Sequence, residues 1–193
     1  MTDNSSTRSH SNGNFRRSEN FNILVWNVQG AGNRHFMHIL REHIRTHNPS
    51  IMALVETRIS GTRAQVICNK TGFRKWFRVE AQGFQGGIWV FWQEEEIDLE
   101  VINSHEQFVT VGIRTQGRLG WFVTFVYASP HSHIREVLWQ QLHSFAVDYR
   151  KPWLLAGDFN ETVSLEERNH GGPICGGGVI VSKTGLTTMG SLT

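Results

Sequence analysis

Four apolar runs in this chain end in the same manner. The run 23–26, "ILVW", is followed by Asn27, and 51–55, "IMALV", by Glu56. The run 122–126, "FVTFV", leads into Tyr127, and 153–157, "WLLAG", into Asp158, with Asn160 two residues further on. Each run is short, continuous and rich in residues that favour strands, which is the pattern of a strand covered on both faces. A chain that repeatedly brings a carboxylate, an amide or a phenol to the exit of a buried strand is constrained towards a layered α/β fold, where strand ends and loops build the site.

The segments between these runs support that reading. "QGAGN" at 29–33 has the composition of a turn. "NRHFMHILREHIRTHN" places Phe36, Ile39, Leu40 and Ile44 near helical spacing, with Asn33 as the expected N-cap and "NPS" as the stop. Strand, helix and strand over 21–56 predict a parallel pair joined by a crossover helix. "GGIWVFW", "IDLEVIN", "QFVTVGIRT" and "GWFVTFVYAS" follow at short spacing and predict antiparallel neighbours, with "EEE" at 94–96 as a charged hairpin end. "SHIREVLWQQLHSFAVDY" is a second amphipathic helix, with Ile134, Val137, Leu138, Leu142 and Phe145 on one stripe and Ser132 as its expected N-cap. Together these predict mixed α/β architecture, two packed sheets with helices outside.

Composition narrows the function classes. At 193 residues, 39% hydrophobic and 19% charged, the chain suits one domain with a real core. No apolar run approaches the roughly 20 residues that span a bilayer, and the N-terminus lacks the apolar core of a secretory signal, so a soluble, intracellular protein is expected. Residues 1–20 are polar and are expected to be a disordered tail. Cys68 and Cys175 lie far apart and fit neither a disulfide framework nor a zinc motif, so both are expected to be ordinary thiols.

The net charge of +2 gives a weak overall field, but the charge is unevenly distributed. Arg58, Arg63, Lys70, Arg74, Lys75 and Arg78 stand against Glu80 alone over residues 57–80, with Phe73, Trp76 and Phe77 interleaved. That mixture suits a phosphate-rich strand whose bases can stack, and it equally suits a solvated face above a few core aromatics. "QGAGN" lacks the third glycine and the acidic residue of a dinucleotide loop. His35, His38, His43 and His47 share one predicted helix, but Glu42 is not placed as in the H-E-x-x-H zinc motif, so a solvated polar face is expected.

A carboxylate at a strand exit can hold Mg²⁺, which prefers oxygen ligands, and an amide that does not titrate can position water or a phosphate oxygen. Taken singly, an Asp or Asn at such a place is an ordinary turn former. Taken together, "WNVQG", "ALVET", "VYASP" and "AGDFNE" stand in the order seen in the endonuclease/exonuclease/phosphatase superfamily. Over residues 21–172 the chain most resembles the endonuclease domain of plant non-LTR (LINE-type) retrotransposons. The resemblance implies a four-layer α/β sandwich, two mixed β-sheets flanked by helices. It implies Glu56 as acidic ligand of a divalent metal with Asn27 beside it, and Asp158 as the acid that orients or deprotonates the attacking water. Asn160 would hold that water or the scissile phosphate, and Tyr127 would contact the phosphate. Mg²⁺ or Mn²⁺ is the implied cofactor, with no small-molecule cofactor. DNA is the implied partner, without a membrane, and the implied setting extends to the nucleus. Arg58, Arg63, Lys70, Arg74, Lys75, Trp76 and Arg78 are the expected nucleic-acid contacts.

One part of the family pattern is missing. A later Ser-Asp-His segment is expected, whose His pairs with an acid, and after Asp158 the chain holds only His170, flanked by Asn169 and a glycine pair. The domain over 21–172 is therefore expected to be partial, incomplete at its C-terminus, with an exposed sheet edge. The Gly-rich segment 173–193 shows no clear strand or helix periodicity. Back-translated with free choice at degenerate positions and read in a shifted frame, it yields a family-like string, so a frameshift near Pro173 is expected. The sequence thus points to a metal-dependent phosphodiester hydrolase impaired by that loss. A non-catalytic nucleic-acid-binding remnant and a phosphatase of the same superfamily are the alternatives.

Overall fold

Alternation along β1 (Asn22–Asn27) sets the layering. Ile23 and Val25 point into one apolar cluster, while Leu24 and Trp26 pack into another on the opposite face. The computed structural model describes residues 21–115, 117–160, 178–182 and 185–189. Along the chain β1 is followed by α1 (Phe36–His47), β2 (Ile51–Val55), α2 (Gly61–Cys68), β3 (Lys75–Val79) and β4 (Ile88–Trp92). Then come β5 (Asp98–His105), β6 (Phe108–Thr115), β7 (Arg118–Tyr127), α3 (Ser132–Asp148), β8 (Trp153–Asp158), β9 (Gly178–Ser182) and β10 (Gly185–Met189).

Two mixed sheets form, one in the order β10-β9-β1-β2-β4-β3 and the other β5-β6-β7-β8. Between them lies the main core. Ile23, Val25, Ile51, Ala53, Val55, Ile88 and Val90 of the first sheet meet Val109, Val111, Ile113, Val123, Phe125 and Ala156 of the second. On the outer face of the first sheet, Leu24, Met52, Leu54, Trp89 and Phe91 pack against Phe36 and Leu40 of α1 and Ala64 and Cys68 of α2. On the outer face of the second, Phe108 and Val126 pack against Leu138 and Leu142 of α3. The result is the four-layer α/β sandwich, helix–sheet–sheet–helix. All five residues of β2 are buried because both of its faces are covered.

Two parallel pairs orient the molecule. β1 runs parallel to β2, with Asn27 opposite Val55, and β7 runs parallel to β8, with Tyr127 opposite Asp158. Each pair is joined through a helix or helix-bearing crossover, as parallel strands require. Both pairs end at the same end of the sandwich, where the sheets touch through β1 against β8 and β2 against β7.

Several local expectations are corrected. Residues 93–96 do not close a hairpin, because β4 and β5 lie in different sheets; the segment carries the chain from one sheet to the other. The stretch 57–80 contains an unanticipated helix, α2, and the edge strand β3. α1 starts at Phe36 with His35 at its cap position, and Asn33 accepts the His35 N–H through Oδ1 rather than capping the helix itself. Ser132 is the first residue of α3, with His131 at the cap. Asn48 ends α1 in the left-handed conformation that asparagine tolerates. The segment read as lacking strand periodicity contributes β9 and β10, and β9 pairs antiparallel with the outer edge of β1. Among the described residues β8 has β7 as its one sheet neighbour. Cys68 is buried, and burial pushes its thiol up to about 11, so it is inert at neutral pH. Cys175, His170, Pro173 and residues 1–20 lie outside the described residues. Among the described residues no helix is long and apolar enough to cross a membrane.

His43 departs from a purely solvated face. Its ring lies 4.7 Å from the Trp26 ring, and burial, followed by the nearby His47, holds its pKa below the usual histidine value. Unfolded His43 therefore binds a proton at a higher pH than folded His43. The stability this position supports is complete above the ordinary value near ~6.5 and is lost as pH falls towards the folded value. Lowering the pH from about 7.5 to about 5.5 is expected to destabilise the protein, and His43→Leu should reduce that loss in a chemical melt followed at both values. Parallel pH curves for the two proteins would contradict this.

Candidate active site

The turn after β2 is built to aim Glu56. Glu56 has φ 59° and Arg58 φ 57°, both left-handed, a conformation costing about 1 kcal/mol or more for a residue with a side chain. Backbone hydrogen bonds on two sides hold it. Gly30 and Ala31 donate to the carbonyls of Glu56 and Thr57, at 2.9 and 2.8 Å. Thr57 and Arg58 donate to the carbonyls of Gly87 and Gly86, at 3.2 and 2.9 Å. A Cβ at Gly87 would sit 2.3 Å from Thr57 Oγ1, so this approach is open to glycine alone. The "QGAGN" turn thus spends amide donors of Gly30 and Ala31 on protein carbonyls. The Glu56 carboxylate is 8% exposed by residue and accepts both Nε and Nη2 of Arg58 at its Oε1.

The second sheet delivers its groups through a close strand contact. Gly157 has φ 148°, and a Cβ there would lie 2.0 Å from the Val126 carbonyl oxygen. The neighbouring pair, Tyr127 and Asp158, is locked by the Ala128 N–H donating to the Asp158 carbonyl at 2.8 Å. Asn160, also left-handed, closes a turn. Its N–H donates to Asp158 Oδ1 at 2.9 Å and its Nδ2 donates to the Ala128 carbonyl at 2.7 Å. Buried Gln107 fixes the segment after β7 by accepting the Ser129 N–H at 2.7 Å and donating to the Ile134 carbonyl at 2.9 Å.

Side chains of the two sheets then meet. Asn27 Nδ2 donates to Asp158 Oδ2 at 2.6 Å, linking the end of β1 to the end of β8. The Tyr127 hydroxyl lies within the field of both Glu56 and Asp158. Burial first, then the Glu56 charge, pushes the Tyr127 phenol well above its usual range, so it remains a donor at neutral pH. Asn27, Glu56, Tyr127, Asp158 and Asn160 therefore stand together at the C-terminal ends of β1, β2, β7 and β8. A cleft of about 340 Å³ opens beside them. Glu56, Arg58 and Tyr127 line it, while Asn27, Asp158 and Asn160 lie outside its lining.

Among the described residues no group of three or more His, Cys, Asp or Glu side chains is gathered as for a metal. The oxygen donors here are instead the Glu56 carboxylate and the Asn27 Oδ1, which accepts the Gln29 N–H at 3.0 Å and keeps a second lone pair, with the Asp158 carboxylate hydrogen-bonded to Asn27 Nδ2. That set fits Mg²⁺, which commonly takes one or two carboxylates and completes its shell with water and phosphate. In the structure the Glu56 Oε1 is occupied by the Arg58 guanidinium, which leaves Oε2 as the oxygen open to an ion.

The basic stretch is dispersed rather than gathered. Arg58 alone of its members lines the cleft. Arg63 donates to the Gly32 carbonyl, and Lys70 is exposed after α2. Arg74 pairs with Glu95 and Lys75 with Glu94, while Arg78 pairs with Glu80 and sits 5.6 Å from the Trp76 ring centre. Phe73 is buried, and Trp76 and Phe77 pack half-buried against the two cores of the first sheet. These rings are committed to packing. Sequence reasoning passed over Gln107, the Gly86–Gly87 pair and Phe84 at the cleft. "QGFQGG", a lone aromatic among glycines and amides, was the available signal for the last two.

Two substitutions test this geometry. Asn27→Asp would put a second carboxylate against Asp158, and one of the two would hold its proton above the ordinary carboxyl pKa. The variant should match the wild type below about pH 4 and lose about 1–3 kcal/mol as pH rises to neutrality. Denaturant melts across that range check it, and a pH-independent difference would contradict it. Gly157→Ala should cost at least about 2 kcal/mol or prevent folding, because the obstacle is the Val126 backbone. An unchanged melting midpoint would contradict that account.

Known proteins share this family and fold. The sequence profile of the Endonuclease/Exonuclease/phosphatase family matches residues 24–174, more than half of the chain. No curated protein sequence matches. Among solved structures, the endonuclease domain of TRAS1, a telomere-specific non-LTR retrotransposon, is similar at TM-score 0.52 and 23% identity, over 75% of this chain and 62% of that one. An AP endonuclease from Archaeoglobus fulgidus is similar at TM-score 0.53 and 15% identity, over 75% and 59%. TDP2 of D. rerio complexed with single strand DNA product is similar at TM-score 0.51 and 15% identity, over 82% and 68%. The chain thus spans about three-fifths of the length of the TRAS1 domain, and at these identities the likeness is one of fold. The chain belongs to the endonuclease/exonuclease/phosphatase family.

Proposed function

We propose that the strand-end cluster is the hydrolytic centre of a DNA endonuclease of the plant LINE-type retrotransposon kind, cutting a phosphodiester with Mg²⁺ or Mn²⁺. One observation carries this reading: groups from four strands in two sheets converge beside one cleft, tied by the Asn27–Asp158 hydrogen bond. Glu56 would hold the ion, with Asn27 Oδ1, which accepts the Gln29 N–H at 3.0 Å, as the second oxygen donor, and the charge of the ion would favour attack at a phosphate bound there. Asp158, oriented by Asn27 and by the Asn160 N–H, aligns a water and accepts its proton; as the water oxygen bonds to phosphorus the opposite P–O ester bond breaks, and the leaving oxygen takes a proton from solvent. Tyr127 donates its hydroxyl to a phosphate oxygen, a role its raised pKa supports. Asn160 has one Nδ2 hydrogen committed to Ala128, which leaves its second amide hydrogen for water or phosphate. Arg58 passes from Glu56 to the incoming phosphate, and the dispersed basic residues from Arg63 to Arg78 contribute weaker, salt-sensitive attraction. The setting we infer for such an enzyme is the nucleus, and its functional unit is the segment 21–172.

A second reading is a nucleic-acid binder without catalysis. It is favoured by the absence, among the described residues, of a three-membered metal-ligating cluster. A small-phosphate hydrolase of the same superfamily would use the same cluster without DNA.

Nicking of supercoiled plasmid in Mg²⁺ separates these. The endonuclease reading expects nicking that EDTA abolishes and that Glu56→Gln or Asp158→Asn lowers by about 100-fold or more. Salt-sensitive DNA retention without nicking supports the binder. Hydrolysis of small phosphate esters without nicking supports the phosphatase.

A further inference from the structure

Phe84 is 87% exposed, while no other large apolar side chain among the described residues exceeds the 64% of Val147. It does not dangle. Gln82 and Gln85 exchange both backbone hydrogen bonds, at 2.9 and 3.1 Å, closing a two-residue hairpin whose central residues are Gly83 and Phe84. Gly83 has φ 62°, the positive value that such turns take at their first central position. The base of this hairpin is the Gly86–Gly87 pair that clamps Thr57 and Arg58. The fold therefore holds an aromatic ring in water on a tight turn hydrogen-bonded to the segment that aims Glu56. Phe84 lines the same cleft as Glu56, Arg58 and Tyr127.

Resting on the endonuclease reading, we infer that Phe84 is a stacking platform for an unstacked nucleobase adjacent to the phosphate at Glu56 and Tyr127. The enzyme thereby prefers single-stranded or locally opened DNA. Several features of the surroundings match that occupant, while the carboxylates of Glu80, which pairs with Arg78, and of Glu106 also line the cleft and favour a base over a second phosphate beside the ring. A single flat ring offers one face to one base, and stacking of this kind tolerates any base. Exposed Gln82 and Gln85 flank it with amides able to reach base edges or sugar. Arg58 lies in the same cleft as the group for backbone phosphate. A lipid surface would need a broad apolar face without like charge, whereas this cleft adds only Pro130 and Ile134 to the ring and carries Glu56, Glu80 and Glu106 with Gln82 and Gln85. The aromatic residues of the basic stretch are not placed to serve instead: Phe73 is buried, Trp76 and Phe77 are half-buried against the cores, and none of the three lines this cleft.

The test uses the full chain in Ca²⁺ buffer with three probes: a single-stranded oligonucleotide carrying 2-aminopurine, its matched duplex, and phosphatidylinositol-phosphate vesicles. The wild type should bind the single strand more tightly than the duplex and change the 2-aminopurine fluorescence. Phe84→Ala should weaken single-strand binding about ten- to a hundredfold and remove the fluorescence change, and Phe84→Trp should restore both. Because the ring is exposed, the melting midpoint of Phe84→Ala should stay at the wild-type value. Equal binding and equal fluorescence change in wild type and Phe84→Ala would overturn the inference while leaving plasmid nicking, and so the endonuclease reading, intact. Vesicle binding that depends on Phe84, with oligonucleotide binding unaffected, would overturn it in favour of a lipid. A wild type that binds neither oligonucleotide and nicks no plasmid removes the endonuclease reading and the inference together.

Discussion

Two apolar sheets stacked face to face have no reason of their own to bring particular polar residues together at their ends. Here the end of β1 is joined to the end of β8 by the hydrogen bond from Asn27 Nδ2 to Asp158 Oδ2, at 2.6 Å. That bond uses one oxygen of a carboxylate whose other oxygen accepts the Asn160 N–H, so Asp158 is held from both sheets at once. Tyr127 of the second sheet and Glu56 of the first line the same cleft, close enough for the Glu56 charge to act on the phenol. The bond and this approach turn the packed ends of four strands into one site.

Backbone geometry maintains the arrangement beneath. Glu56 and Arg58 occupy left-handed conformations because amides and carbonyls of the 28–31 turn and of Gly86–Gly87 fix the intervening peptide groups. Gly157 allows β8 to lie against Val126 so closely that no side chain fits between them. Strain stored at Glu56, Arg58 and Asn160 is thus offset by hydrogen bonds in the surrounding turns, the pattern expected where orientation matters more than local stability.

The buried strands and the residues at their exits were readable from sequence, because period and polarity change together at Asn27, Glu56, Tyr127 and Asp158. The crossover helices were readable for the same reason. What was not readable depends on contacts distant in sequence. α2 and β3 were hidden under a reading of charge, since Arg74 and Lys75 find Glu95 and Glu94 only once the segment 93–96 crosses between sheets. His43 reads as a surface residue until Trp26 lies beneath it. The part played by "QGAGN" was obscure because its partners are the carbonyls of Glu56 and Thr57 in another turn. Phe84 was passed over because exposure is not visible in a string, although its setting among glycines and amides was.

The most direct test of a shared phosphodiester site is a crystal structure of the full chain with Mn²⁺ and a short oligonucleotide. The account predicts anomalous density for one Mn²⁺ against a Glu56 carboxylate oxygen, a phosphate between Glu56 and Asp158, and the Arg58 guanidinium moved from the carboxylate to that phosphate. Manganese bound away from Glu56, or a phosphate that reaches Glu56 but not Asp158, would contradict it.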